Sequence, residues 1–142
     1  MLFSRTEEAG IVAAIRAAEL ETSGEIRLYV EDFCLAEHPV ERAAEVFHVL
    51  GMQKTAARNG VLIYLAEKSR HFAIWGDSGI HQIVGMSFWD AEKRILREHF
   101  QKDAMAEGLC AVINSIGARL KEYFPADSDN NENELPDEIV YG

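Results

Sequence analysis

Cysteine is scarce in this chain of 142 residues: Cys34 and Cys110 stand far apart and in no CxxC pair. That spacing gives no basis for a disulfide framework or a cysteine zinc site, and it suits ordinary thiols in a reducing compartment. Long apolar runs are missing too. Near the start Arg5, Glu7, Glu8 and Arg16 interrupt every apolar stretch, and no later segment reaches membrane-spanning length. The expectation is a soluble, cytoplasmic protein without a membrane anchor. Positive charge is short as well. A formal net charge of -10 argues against nucleic-acid binding, which works by neutralising phosphates with Lys and Arg. Six of those negative charges, Asp127, Asp129, Glu132, Glu134, Asp137 and Glu138, lie between Ala126 and Gly142, where there is no Lys or Arg. The rest of the chain is only mildly acidic.

Catalytic signatures are also lacking. There is no P-loop, no CxxxxxR nucleophile motif and no HExxH pairing among His38, His48, His71, His81 and His99. His81, close to Asp77 in sequence, is the one histidine worth holding as an acid or base.

Hydrophobic residues make up 48% of the chain, enough for one domain with a real core. The domain is read as residues 1–125, followed by an acidic tail, 126–142, with the composition of a flexible segment. Within the tail, Leu135-Pro136 and Ile139-Val140-Tyr141 are apolar enough to dock. Ser4 and Glu7 have capping-box spacing ahead of a helix carrying Ile11, Ala14, Ile15 and Ala18 on one face. Glu25 to Glu31 alternates Ile26, Leu28 and Val30 with polar neighbours, the period of a strand with one buried face. Pro39 opens a helix with Val40, Ala43, Ala44, Phe47 and Leu50 as its stripe. Val61 to Ala66 is a nearly unbroken apolar strand, and a short turn leads into His71 to Gly76. Gly76 to Gly85 reads as a turn with one short helix, and Ser87 to Asp90 caps a helix through Phe100. Asp103 is placed as the cap of the last helix, Ala104 to Tyr123.

The helical crossover makes the first two strands parallel, and the short turn makes the third antiparallel to the second. The fold class is therefore α/β, with a small mixed sheet. The starts of strands one and two then lie beside the end of strand three. Three polar motifs meet at that edge: Ser23-Gly24-Glu25, Arg58-Asn59-Gly60 and Gly76-Asp77-Ser78-Gly79.

These motifs, in this order and spacing, resemble the TPM-domain family in a short, unanchored bacterial form. The likeness rests on Thr22 to Arg27 entering the first strand, on Thr55 and Arg58 to Leu62 entering the second, and on Phe72 to Ile80 leaving the third. Phe88-Trp89-Asp90, Glu107-Gly108-Leu109 and Asn133 to Ile139 add to it. The resemblance implies a three-layer α/β/α sandwich. Members of the family have been proposed as phosphatases, as binders of calcium or other divalent cations, and as partner-binding or chaperone-like modules.

A hard cation such as Ca²⁺ or Mg²⁺ takes several oxygen ligands, led by carboxylates. Glu25 and Asp77 supply two, and Asp90 is the third candidate if the segment from Gly79 to Gly85 folds back over the edge. Ser23, Arg58, Asn59 and Ser78 are the supporting residues. Each has a plainer explanation, since Asp77-Ser78-Gly79 and Asn59-Gly60 suit turns and caps and Glu25 suits a solvent face paired with Arg27 or Arg58. The leading expectation is a cation-binding module that engages a protein partner or client. The alternative is a metal-dependent phosphatase at the same edge.

Overall fold

Ser4 opens the first helix as its spacing to Glu7 predicts. In the computed structural model, which describes residues 2–126 and 139–142, the Ser4 hydroxyl accepts from the Glu7 N–H and the Glu7 carboxylate accepts from the Ser4 N–H. A cap of this kind is worth about 1 kcal/mol. The helix, α1, runs Arg5–Leu20 and turns Ile11 and Ile15 fully inward. Strand β1, Glu25–Glu31, follows. Helix α2, Pro39–Val49, and a 3₁₀ turn, Met52–Lys54, lead to β2, Gly60–Ala66, every residue of which is buried. Strand β3, His71–Gly76, completes the hairpin.

The connectivity is the one the sequence predicts. β1 pairs parallel to β2 with Glu25 opposite Gly60, and β3 pairs antiparallel to β2 with Val61 opposite Gly76. Two helices finish the domain, α3, Ser78–Gln101, and α4, Met105–Tyr123. Strand β4, Val140–Tyr141, lies parallel on the open edge of β1, so the sheet order is β3-β2-β1-β4. The Gly142 N–H donates to the Val30 carbonyl and the Tyr141 hydroxyl donates to Glu8, holding this strand in place. Docking of Ile139 to Tyr141 is thus realised, while the acidic stretch 127–138 lies outside the described residues.

Alternation along the strands sorts the side chains into two cores. Ile26, Leu28, Val30, Val61, Ile63, Leu65 and Ile74 pack against α1, α3 and α4. On the other face Leu62, Tyr64, Ala66 and Ala73 meet Ala43, Val46 and Phe47 of α2. Three layers result, with one helix on one side and three on the other.

After β3 the expected short helix and the longer helix after it are both present, and one local expectation, the Asp103 cap, changes. The segment after β3 is helical from Ser78 onward, and the break falls at Gly85, whose φ of 75° and ψ of 173° split α3 into two helical runs. A glycine tolerates that left-handed φ where other residues would be strained. Asp103 does not cap α4: it has a φ of 55°, and Ala104 takes the cap position without any side-chain bond. Asp103 instead belongs to the close of α3, its N–H donating to the Phe100 carbonyl and the Ala104 N–H to that of His99.

Candidate functional site

The strand ends form a row. Glu25 is the register partner of Gly60, and the Gly60 carbonyl accepts from the Asp77 N–H at 2.9 Å. Adjacent strands lie about 4.8 Å apart, so Glu25, Gly60 and Asp77 occupy three neighbouring places along one sheet edge. Ser23 and Asn59 bridge the first two: the Asn59 side-chain amide donates to the Ser23 hydroxyl at 3.2 Å. Asn59 is fully buried, its N–H donates to the Thr55 hydroxyl, and its side-chain carbonyl oxygen has no hydrogen-bond partner among the described residues. Glu25 is buried as well, at 3% exposure, rather than lying on a solvent face.

Asp77 is the centre of the next group. Its carboxylate accepts from Arg58 Nε at 2.7 Å and Nη2 at 2.9 Å, and from the Ser78 N–H at 2.7 Å as the cap of α3. The pairing raises the guanidinium pKa, first through the hydrogen bonds and then through the opposite charge. Arg58 reaches Asp77 from a residue with φ of 52°, at the tight turn that leads into β2. Gly79 makes that approach possible, since its N–H donates to the Arg58 carbonyl at 2.7 Å. A Cβ on Gly79 would stand 2.1 Å from the Ala57 carbonyl oxygen.

Beyond Asp77 opens a cleft of about 440 Å³, lined by apolar Val40, Ile74, Trp75, Met86 and Trp89. Its polar lining is His48, Arg58, Asp77, Ser78, His81 and Lys93. Trp89 Nε1–H donates to His81 Nδ1 at 3.0 Å, so the neutral His81 ring carries its proton on Nε2. His48 has the opposite arrangement. Its Nδ1–H donates to the Ala44 carbonyl at 2.8 Å, which leaves Nε2 as the acceptor of the neutral ring.

Of the residues named from sequence, Ser23, Glu25, Asn59, Arg58, Asp77 and Ser78 therefore lie along the edge. Asp90 does not join them. It is exposed on the second run of α3, 3.6 Å from Lys93, because the helix resumes after Gly85 instead of folding back as a loop. Among the described residues no three His, Cys, Asp or Glu side chains lie together as ligands for a metal ion. The edge accommodates a hard cation only in part: Asn59 offers an uncommitted buried oxygen, while both Asp77 oxygens are engaged by Arg58. Met86 and Lys93 escaped the sequence reading, and His48 entered it without a role at this site. The three come from α2 and from the run of α3 that follows the kink, and no short motif links them.

Comparisons with known proteins agree with this architecture. The NMR structure of the BA42 protein from the psychrophilic bacterium Bizionia argentinensis is 40% identical, with a TM-score of 0.89 over 99% of this chain and 95% of that one. The N-terminal domain of the cg2496 protein from Corynebacterium glutamicum is 16% identical, with a TM-score of 0.68 over 94% and 82% of the two chains. An N-terminal domain of a protein from P. gingivalis is also 16% identical, with a TM-score of 0.67 over 94% and 83%. At that identity the last two share the fold alone. No curated protein matches the chain. The family model described as the TPM domain matches residues 1–119, and with the BA42 likeness it places this chain in the TPM-domain family.

Proposed function

We propose that this protein is a binding module that takes a divalent cation, Ca²⁺ or Mg²⁺, at the strand-end row, with Asp77 exchanging the Arg58 guanidinium for the ion. The observation that carries this reading is the imbalance of the Arg58–Asp77 pair. The Asp77 side chain is 6% exposed and the Arg58 side chain that neutralises it is 50% exposed. A buried carboxylate needs a positive partner, and this partner can swing into solvent without dismantling the core. Asn59 supports the reading, since its buried carbonyl oxygen lacks a donor among the described residues. Glu25 and the Ser23 hydroxyl supply further oxygens of the type a hard cation takes. Asp90 is left out of the donor set because it pairs with Lys93 on the outside of α3.

A role in engaging a protein partner or client is supported by exposed Val40 and Met86 at the cleft and by exposed Ile83 on the first run of α3. A cytoplasmic setting suits Cys34 and Cys110, both free thiols.

The test is a thermal melt of EDTA-stripped protein titrated with each ion. A ligand that binds only the native state raises Tm with concentration, by an amount corresponding to roughly 2.7 kcal/mol at a hundred times Kd. A saturable rise that Asp77→Ala abolishes supports the reading, and no rise with either ion contradicts it. Ser78, His81 and Arg58 around Asp77 in one cleft favour a second reading, phosphoester hydrolysis. Metal-dependent turnover of p-nitrophenyl phosphate, lost in Asp77→Ala, would move the assignment to that hydrolase.

A further inference from the structure

We propose that the cleft between β3, α2 and α3 is a site for a small organic anion with an aromatic or apolar body. The body would lie against Trp75, Trp89 and Met86, and the anionic head would meet Arg58, Lys93 and the Nε2–H of His81.

Charge is the first argument. The chain is acidic overall, at -10, yet the charged side chains lining this cleft are Arg58, Lys93 and one carboxylate, Asp77. That carboxylate is already neutralised by Arg58 Nε and Nη2. Arg58 Nη1 makes no hydrogen bond to another described residue and is left to meet a ligand. Among the described residues the Lys93 ammonium has only Asp90, 3.6 Å away and exposed, as its counter-ion. With Arg58 and Asp77 balancing one another, Lys93 leaves the lining one net positive charge on an otherwise acidic protein, which favours an anion over a cation.

The fixed tautomer of His81 is the second argument. Because its Nδ1 is occupied by the Trp89 indole N–H, a neutral His81 presents a donor on Nε2 and no acceptor. An anionic oxygen is the matching group. Arg58, Lys93 and His81 are then three donors around one mouth, in keeping with the few well-placed polar groups that orient ligands in mostly apolar pockets.

Size is the third. A volume of about 440 Å³ suits a small molecule; pockets for such ligands run from about 300 to 1,000 Å³. A free phosphate or acetate would leave the tryptophan wall unused, so an apolar body is required.

The chain provides its own reporter. Its two tryptophans, Trp75 and Trp89, both line this cleft. Intrinsic fluorescence therefore reads its occupancy. The full-length protein is titrated with 4-phenylbutyrate, with the neutral 4-phenylbutanamide and with inorganic phosphate, all in EDTA so that the result is independent of any cation. The expected result is a saturable change with 4-phenylbutyrate, at least tenfold weaker binding of the amide, and no saturation by phosphate over the same range. Lys93→Met should shrink the tenfold preference to threefold or less. Met86→Asp, which sets a carboxylate on the exposed rim, should weaken 4-phenylbutyrate at least tenfold. Absence of saturation, equal binding of acid and amide, phosphate binding as tightly as 4-phenylbutyrate, or an undiminished preference in Lys93→Met would each overturn the proposal. Because EDTA is present throughout, failure here leaves the cation reading untouched, and failure of that reading leaves this one standing.

Discussion

Arg58 and Asp77 meet through two hydrogen bonds, Nε to one carboxylate oxygen at 2.7 Å and Nη2 to the other at 2.9 Å. The contact joins the turn before β2 to the start of α3, and it sits at the boundary between the strand-end row and the cleft. Two-point pairing of a planar guanidinium with a carboxylate fixes orientation as well as charge. The site's electrostatics therefore turn on one side chain that is held only at its tip.

Gly79→Ala should be strongly destabilising. The added Cβ would meet backbone rather than a movable side chain, 2.1 Å from the Ala57 carbonyl oxygen and 2.6 Å from that of Arg58. The turn must shift, at a cost of about 2–3 kcal/mol, comparable to other overpacked sites. Urea unfolding measures this, and a midpoint equal to wild type would contradict the close approach.

Glu92 gives the stability a pH dependence. Burial between α3 and α4 pushes its carboxyl pKa up, against the opposing effects of the Ser115 hydroxyl bond at 2.6 Å and the charge of Arg119. A carboxyl raised in the folded state contributes stability that is complete below the ordinary carboxylate range and is lost as pH rises through its raised value. Wild type should therefore lose stability relative to Glu92→Gln as pH increases from 4 to 8. Parallel curves for the two proteins would count against the buried carboxyl.

The Tyr64 hydroxyl acts on Glu31 in the opposite sense. Glu31 is held below the ordinary carboxylate range first by its bonds to Arg42, at 2.9 Å each, and against burial by the hydroxyl of Tyr64 as well. Its contribution is present above the unfolded value and is lost as pH falls through the lowered one. Tyr64→Phe should cost about 2 kcal/mol at pH 7, the scale of a hydrogen bond to a charged group. Its disadvantage should narrow on acidification through the lowered value, as read by urea midpoints at pH 7 and pH 2.5. A constant difference between the two pH values would show that the hydroxyl does not stabilise the charged form.

Most of the architecture was legible because it rests on period and connection length. The alternation of Ile26, Leu28 and Val30, the apolar run from Val61 to Ala66 and the four-residue turn before His71 were enough for the strands and their directions. The juxtaposition of Glu25, Asn59 and Asp77 followed from those directions. What lay beyond reach depends on single backbone angles. The left-handed Gly85 resets the phase of α3, carrying Asp90 outward and bringing Trp89 back onto His81 eight residues earlier. Likewise Arg58, at a positive φ, pairs with Asp77, where the sequence offered it only Glu25 as a partner. Spacing alone carries no signal for either.

The measurement that tests the central claim most directly is Ca²⁺ and Mg²⁺ affinity by isothermal titration calorimetry in wild type, Arg58→Gln and Asp77→Ala. If the ion takes the place of the guanidinium, Arg58→Gln removes a competitor and should bind about tenfold more tightly, while Asp77→Ala should not bind. Unchanged or weaker binding in Arg58→Gln, or full binding in Asp77→Ala, would contradict exchange at Asp77.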